Sequence, residues 1–263
     1  MSGVLDECTD QRRPARAAAP ARPPGTFTTS QVAQILGVAE ASVKRLADAG
    51  SIACLRSSPK SRRFFTSRQL TDHLRGSRRG AMHDLAQALR ARDMNEAVAQ
   101  VIDQLALGRK LEAVLDEAIL PGVTTAPSGF MADLLKRVTA LVGSARLKGR
   151  PALVARVGDA ALETRMIECV LHAAGFEVLS AAESVGAGEL AGMAERVGAE
   201  LTVFVIGRHP AGLHAAALAA AAALARQREE GRVCVQASHE LAVPSGVSRI
   251  RTLSELGQLL RSA

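Results

Sequence analysis

The chain has 263 residues, of which 48% are hydrophobic and only 2% are aromatic, with no Trp or Tyr. This length suits two or three domains, and the hydrophobic fraction is sufficient for packed cores. Because unpaired bases are usually held by stacking on aromatic side chains, the composition argues against single-strand or RNA binding. No apolar stretch reaches the roughly 20 residues that cross a bilayer, and the N-terminus carries no hydrophobic signal segment, so we expect a cytoplasmic protein with no membrane partner.

The net charge of +7 is concentrated in one segment of the chain. Residues 26–80 contain ten basic and three acidic residues, a surplus that equals the net charge of the whole protein. The residues that follow are close to neutral. A localised surplus of this kind is typical of a module that binds a polyanion, although solvated charges on an ordinary small helical domain are the alternative.

The first 76 residues divide into a tail and a predicted DNA-binding domain. Residues 1–25 are rich in Pro, Ala and Arg, a composition that predicts a disordered tail. Thr28 and Gln31 have the spacing of a capping box and predict the start of a helix that ends at Gly37. A second helix is predicted from about Glu40 to Ala49 after a three-residue turn, which makes a helix-turn-helix.

A polar turn follows, flanked by two β-rich runs. Ile52–Arg56 and Arg62–Phe65 surround this Ser/Pro turn and predict a β-hairpin wing, and Ser67 predicts the cap of a third helix. Residues 26–76 are therefore predicted to be a winged helix-turn-helix domain that binds double-stranded DNA. The second helix of such a domain lies in the major groove, while wing cations reach phosphates or the minor groove. The predicted DNA-binding residues are Thr29, Gln31, Ser42, Lys44, Arg45, Arg56, Lys60, Arg62 and Arg63.

The stretch Phe27–Val38, together with Val43-Lys-Arg-Leu and Arg62-Arg-Phe, resembles the MerR/excisionase family of helix-turn-helix proteins. The resemblance covers about 50 residues and departs at Leu46, where a Trp is common in the family. It implies DNA binding as a dimer or a higher oligomer, so we expect a homo-oligomer.

The rest of the chain has two further patterns. Residues 81–148 carry four amphipathic stripes and predict a four-helix bundle, with the third helix stopped by Pro121-Gly122. From residue 150 to 263, short β-rich runs alternate with helices, which predicts a doubly wound parallel sheet of the flavodoxin-like type. The expected fold class is therefore multidomain, α+β followed by α/β.

This order of domains resembles the cobalamin-sensing regulators of the CarH/LitR kind, and Gly149–Asp159 together with His172–Val178 looks like the start of their B12-binding domain. The family places Asp-x-His-x-x-Gly in the first loop, with the His coordinating cobalt. Here Asp159 is present, but Ala161 occupies the His position and Thr164 the Gly position. The later Ser of the family reads as Gly207, and its Gly-Gly pair as Ala237-Ser238. The resemblance therefore implies a B12-binding-like fold with a degenerate loop, and we expect no cofactor.

Other chemistry is not indicated by the sequence. The four cysteines lack a C-x-x-C spacing and predict reduced thiols, with no metal site. No nucleophile, base and acid occur in a catalytic pattern, so we expect no enzyme. Arg208, His209 and His239 follow predicted strands, where open α/β sheets bind ligands, or they are surface groups.

The sequence thus predicts a DNA-binding transcriptional regulator that does not depend on cobalamin. Its C-terminal module would serve oligomerisation or the sensing of a signal or a partner regulator. Two alternatives stay open. The protein is an interaction hub or antirepressor that acts through residues 81–263, or it is a regulator that senses a small molecule other than cobalamin.

Overall fold

The computed structural model describes residues 23–56, 58, 61–76, 84–122, 126–143, 149–181, 187–207, 211–227, 232–237 and 241–262. Most of the predicted N-terminal tail lies outside these ranges, as do Lys60, Arg208, His209 and His239.

The N-terminal unit consists of three helices and two short strands. The predicted capping box is formed, since the Thr28 side chain accepts from the Gln31 N–H. The third helix is capped by Thr66 and not, as predicted, by Ser67: the Thr66 side chain accepts from the Gln69 N–H, and Ser67 is the first helical residue. Gly37 ends the first helix with φ 70°, a left-handed conformation that favours glycine. The elements are β1 (Thr26–Thr28), α1 (Thr29–Leu36), α2 (Glu40–Asp48), β2 (Phe64–Thr66) and α3 (Ser67–Arg75).

The strand pairing in this unit differs from the predicted hairpin. β2 pairs antiparallel with β1, so that Phe27 lies opposite Phe65. The run Ile52–Arg56 contributes a single bridge, in which Leu55 and Phe64 exchange backbone hydrogen bonds of 2.7 and 3.1 Å. The hairpin prediction overlooked β1 because this strand is only three residues long and leads directly into the cap of α1.

The middle of the chain is helical, as predicted, and its third helix extends to Gly122, the second residue of the predicted Pro121-Gly122 stop. A π-helical turn allows the helix to continue through Gly122: the Leu120 N–H bonds to the Leu115 carbonyl, five residues back. Pro121 has no N–H to donate, so a local change of hydrogen-bond pattern is expected beside it. The elements are α4 (Leu85–Ala91), α5 (Met94–Ala106), α6 (Leu111–Val114), the π turn (Leu115–Ile119), α7 (Leu120–Gly122) and α8 (Ser128–Val142).

The C-terminal part is a five-stranded parallel sheet with the strand order β4-β3-β5-β6-β7. This is the flavodoxin-like order of a doubly wound domain, and it confirms the fold predicted for this part of the chain. The strands are β3 (Arg150–Val157), β4 (Phe176–Ala181), β5 (Leu201–Ile206), β6 (Arg232–Ala237) and β7 (Ser248–Ile250). The helices are α9 (Ala161–Ala173), α10 (Ala187–Val197), α11 (Ala211–Gln227) and α12 (Leu253–Arg261).

The three predicted domains share one core. A single cluster of buried apolar side chains extends from the N-terminal unit through the helices to one face of the sheet. It includes Ile35 of α1, Leu135 of α8 and Ile167 of α9, which are all fully buried. The other face of the sheet packs against α10 and α11 in a second cluster, which includes Phe204 and Leu224. The domain boundaries themselves stay a prediction.

Within the part of the chain that the structure describes, no helix has the length and hydropathy needed to span a membrane.

Candidate nucleic-acid interface

Three of the predicted cationic residues are exposed on the surface of the N-terminal unit. Lys44 and Arg45 lie on α2, and Arg62 lies just before β2. A cleft of about 470 Å³ separates the start of α1, the start of α2 and the residues before β2. Its lining residues are Thr28, Thr29, Ser30, Glu40, Lys44, Ser61, Arg62, Arg63 and Phe64. Positive side chains outnumber negative ones in this cleft, which suits an anionic ligand.

The orientation of α2 follows from its apolar residues. Val43 is fully buried, so its neighbours Lys44 and Arg45 are on the outer surface of the helix. The Arg45 guanidinium donates to the Ser42 hydroxyl at 3.2 Å, which brings these two predicted DNA-binding residues together. Glu40 in the first turn and Arg45 in the last turn match the helix dipole.

Arg56 and Arg63 are held by the protein itself and do not extend freely from the surface. Arg63 donates to both carboxylate oxygens of Asp48 at 2.8 and 2.9 Å, and to the Lys44 carbonyl at 2.6 Å. Arg56 donates to Asp48 Oδ1 at 2.8 Å. Sequence reasoning placed both arginines in the DNA-contacting set, but their first partner in the structure is this carboxylate, which lies at the end of α2.

The two arginines alter the carboxyl group between them. Hydrogen bonds from Arg56 and then Arg63 hold the pKa of Asp48 below its usual value of 3.8, because they stabilise the ionised form. Asp48 therefore stays charged at neutral pH. Sequence reasoning counted Asp48 only as an acid within a basic segment. Its position beside two cations is visible only in the folded structure.

Gln31 is also engaged inside the protein. Its amide oxygen accepts from the Thr28 N–H at 3.1 Å, and its amide nitrogen donates to the Gly143 carbonyl at 3.0 Å. The side chain therefore caps α1 and ties it to the end of α8. Thr29 lines the cleft and is half-buried. Lys60 lies outside the described residues.

The N-terminal unit is attached to the helices behind it by charged side chains. Arg137 of α8 donates to the Ile35 carbonyl at 3.3 Å and lies against Gly37, where a Cβ would approach the guanidinium to 2.6 Å. Arg75 of α3 bonds to Asp103 at 2.7 Å and to Glu96 at 3.4 Å on α5. These contacts fix α1 against α8 and α3 against α5.

A second candidate site is the carboxyl edge of the sheet, where the resemblance implies a cobalamin-type loop. Ala161 begins α9 with a methyl group, which cannot coordinate a metal. The Thr164 side chain is buried and donates to the Ala160 carbonyl at 2.7 Å. A Cβ on Gly207 would collide with the Asp159 carbonyl and would lie 2.8 Å from the Ala160 nitrogen. Gly207 and the loop after β3 therefore touch through their backbones, and the residues present do not fit a histidine-ligated cobalamin.

One polar residue at this edge was not anticipated. His214 of α11 is buried, and its Nε2 lies 3.1 Å from the Gly207 carbonyl. Sequence reasoning did not select it as a site residue, because it lies in an alanine-rich helix. Among the described residues, no group of three or more His, Cys, Asp and Glu side chains could hold a metal ion.

Comparisons with known proteins give a similarity of fold at low scores. No family model and no curated protein matches the chain. A monomethylamine corrinoid protein from Methanosarcina barkeri is 14% identical, with a TM-score of 0.45, over 68% of this chain and 96% of that one. A cobalamin-binding protein from Desulfitobacterium hafniense DCB-2 is 16% identical, with a TM-score of 0.39, over 68% and 96%. The methanol:cobalamin methyltransferase complex MtaBC from Methanosarcina barkeri is 11% identical, with a TM-score of 0.39, over 85% and 92%. These scores are too low to assign a ligand or an activity to this chain.

Proposed function

We propose that the protein is a DNA-binding transcriptional regulator and that residues 26–76 act as a winged helix-turn-helix of the MerR/excisionase kind. α2 would enter the major groove with Lys44 and Arg45 toward the bases and phosphates. Arg62 would contact the backbone beside the groove. The observation that carries the proposal is the cationic cleft between the starts of α1 and α2, which Lys44, Arg62 and Arg63 line.

The charge pattern supports a duplex as the ligand. The basic surplus of the chain falls in the segment that contains this cleft, and Lys44, Arg45 and Arg62 are all exposed. A helix with two adjacent cations on its outer face fits the width of the major groove of B-DNA, which is about 12 Å. Single-stranded ligands are less well suited, because among the described residues Phe64, the aromatic residue of the cleft, is largely buried.

Neutralising the exposed cations tests this role. We expect the variant with Lys44, Arg45 and Arg62 all changed to Ala to lose duplex binding, measured by fluorescence anisotropy with the full chain. The matched control changes Arg90, Lys110 and Arg196 to Ala, which removes the same charge from exposed positions elsewhere. Equal loss in both variants would show non-specific attraction, and unchanged binding in the first variant would refute the role of α2.

The C-terminal module would then act without cobalamin, in oligomerisation or in the sensing of a signal or a partner regulator. The backbone contact between Gly207 and the Asp159 loop, together with Ala161 at the position of the cobalt ligand, supports this part of the proposal. Light scattering and thermal unfolding of the full chain, each with and without added cobalamin in the dark, test it. We expect an oligomer whose mass and melting temperature are the same in both samples.

A further inference from the structure

We propose that Asp48 is a positioning residue for duplex binding, which holds the segment carrying Arg62 against the end of α2. The inference depends on the proposed DNA-binding function and extends it to a residue whose own charge repels DNA. It comes from one juxtaposition in the structure: a single carboxylate receives the guanidinium groups of both Arg56 and Arg63.

The contacts around Asp48 close a loop. Arg56 and Arg63 lie at opposite ends of the polar segment that contains Arg62, and both donate to Asp48 Oδ1 at 2.8 Å. Arg63 adds a second bond to Asp48 Oδ2 at 2.9 Å. Both ends of the segment are therefore attached to the last turn of α2 by one side chain.

Two further contacts complete the framework of this loop. Leu55 and Phe64 form the backbone bridge at its base. Within the segment, the Ser61 hydroxyl donates to the Ser58 carbonyl at 2.7 Å. The Asp48 contacts are made by Arg56 and Arg63, the residues next to this bridge, so they hold both ends of the segment against the helix.

The exposure of the side chains agrees with a division of roles. The side chains of Arg56 and Arg63 are only 24% and 17% exposed, whereas Arg62 lies on the surface. Arg63 also donates to the carbonyl of Lys44, the residue that faces the cleft together with Arg62. Asp48, Arg56 and Arg63, which we call the clamp, thus connect Lys44 and Arg62, the two cations of the cleft that we propose for the duplex. The charged groups of Lys44 and Arg62 take no part in the clamp.

Electrostatics and positioning predict opposite effects of removing Asp48. A carboxylate on a DNA-binding face repels phosphates, so its loss would tighten binding if charge alone mattered. This repulsion is screened, because the Asp48 side chain is 57% exposed. Loss of the clamp frees the loop, and the entropy of ordering it must then be supplied when DNA binds. We therefore expect weaker binding.

The test compares two aspartates of the same unit in the full-length protein. The probe is a labelled duplex of mixed sequence, about 30 base pairs long, titrated by anisotropy between about 50 and 200 mM salt. We expect Asp48→Ala to weaken binding about tenfold, because the loop must then be ordered when DNA binds, and to leave the salt slope nearly unchanged, because no cation that contacts phosphate is removed. Asp72→Ala is the control, because Asp72 is exposed on α3 and lies 4.0 Å from Arg68, outside the clamp. It should bind as tightly as the wild type or slightly tighter.

Asp48→Glu and Asp48→Asn separate positioning from folding. We expect Asp48→Glu to recover most of the affinity, since it keeps two acceptor oxygens, and Asp48→Asn to recover less. Thermal unfolding should place all variants near the wild type, and any variant that fails to fold leaves the comparison to the other two. If the wild type binds and the Asp48 variants bind as tightly as Asp72→Ala, the positioning role is refuted and the proposed function stands. If the wild type binds no duplex, both are refuted.

Discussion

Gly207, at the end of β5, lies with its Cα against the backbone of Asp159, in the loop after β3, so closely that a Cβ on Gly207 would overlap the Asp159 carbonyl. The Gly207 N–H also donates to the Val157 carbonyl at 2.9 Å. The strand order changes direction between β3 and β5. Doubly wound domains bind their ligands at this topological switch point. In this chain Gly207 meets the loop after β3 there, backbone against backbone.

A side chain at this position should therefore be costly. We expect Gly207→Ser, which restores the residue of the resembled family, to lower the free energy of unfolding by about 2–3 kcal/mol, because the loop after β3 must move. Chemical denaturation measures this value. The matched control is Gly129→Ala, since Gly129 lies in the first turn of α8 with open space around it and should tolerate a methyl group. A Gly207→Ser protein as stable as the control would contradict the contact.

Asp116 joins the helical bundle to the C-terminal domain. Its carboxylate accepts from the backbone N–H groups of Leu253 and Ser254 at 3.0 and 2.8 Å, which places a negative charge at the start of α12. We expect Asp116→Ala to cost about 1–2 kcal/mol of stability, as the loss of a helix cap does. Hydrogen exchange of α12 should rise with it. Asp133→Ala, which removes an exposed aspartate of α8, should change neither measurement.

Arg137 connects α8 to the N-terminal unit. We expect Arg137→Ala to lower the melting temperature and to increase hydrogen exchange in α1. The Ile35 carbonyl loses its donor, and Gly37 loses its contact with the guanidinium. The loss should be about 1 kcal/mol. Lys136→Ala is the control, since Lys136 is the exposed neighbour on the same helix. Equal exchange in both variants would show that Arg137 does not hold the unit in place.

The buried cysteines should be unreactive in the folded protein. Burial raises the pKa of Cys169 and of Cys234 to about 12, from a usual value of 9.0, because the thiolate is poorly solvated there. In a Cys8→Ser background at neutral pH, a maleimide should label Cys54, which is half buried, well before these two. Rapid labelling of all three sites without unfolding would contradict the packing.

The raised pKa values also give the direction of a pH effect. The folded state holds these thiol protons more tightly than the unfolded state, so their contribution to stability is complete below about pH 9 and is lost as the pH rises toward 12. Denaturation curves across this range should show a decline that is smaller when Cys234 is replaced by Val.

Local patterns in the sequence predicted the elements, but not the contacts between distant segments. The capping residues Thr28 and Gln31 located α1, because a cap is a relation between neighbours. Likewise, the alternation of β-rich and helical runs gave the doubly wound sheet. The pairing of β1 with β2 and the capping of α12 by Asp116 depend on chain segments far apart in sequence, so no local pattern contained them.

The same limit applies to the candidate site. The basic surplus and the exposure of Lys44 could be inferred from charge and from the apolar stripe of α2. The partners of Arg63 could not, because Asp48 lies 15 residues away along the chain and the two meet only when the loop folds back on the helix. Sequence reasoning therefore treated every cation of the wing as available to DNA.

Competition between a duplex and its separated single strands, followed over a salt titration with the full-length wild type, tests the DNA-binding role most directly. We expect preferential binding of the duplex, with an affinity that falls steeply between about 50 and 200 mM salt, as the release of several phosphate counterions requires. Equal affinity for both forms, or no duplex binding at the lowest salt, would contradict it.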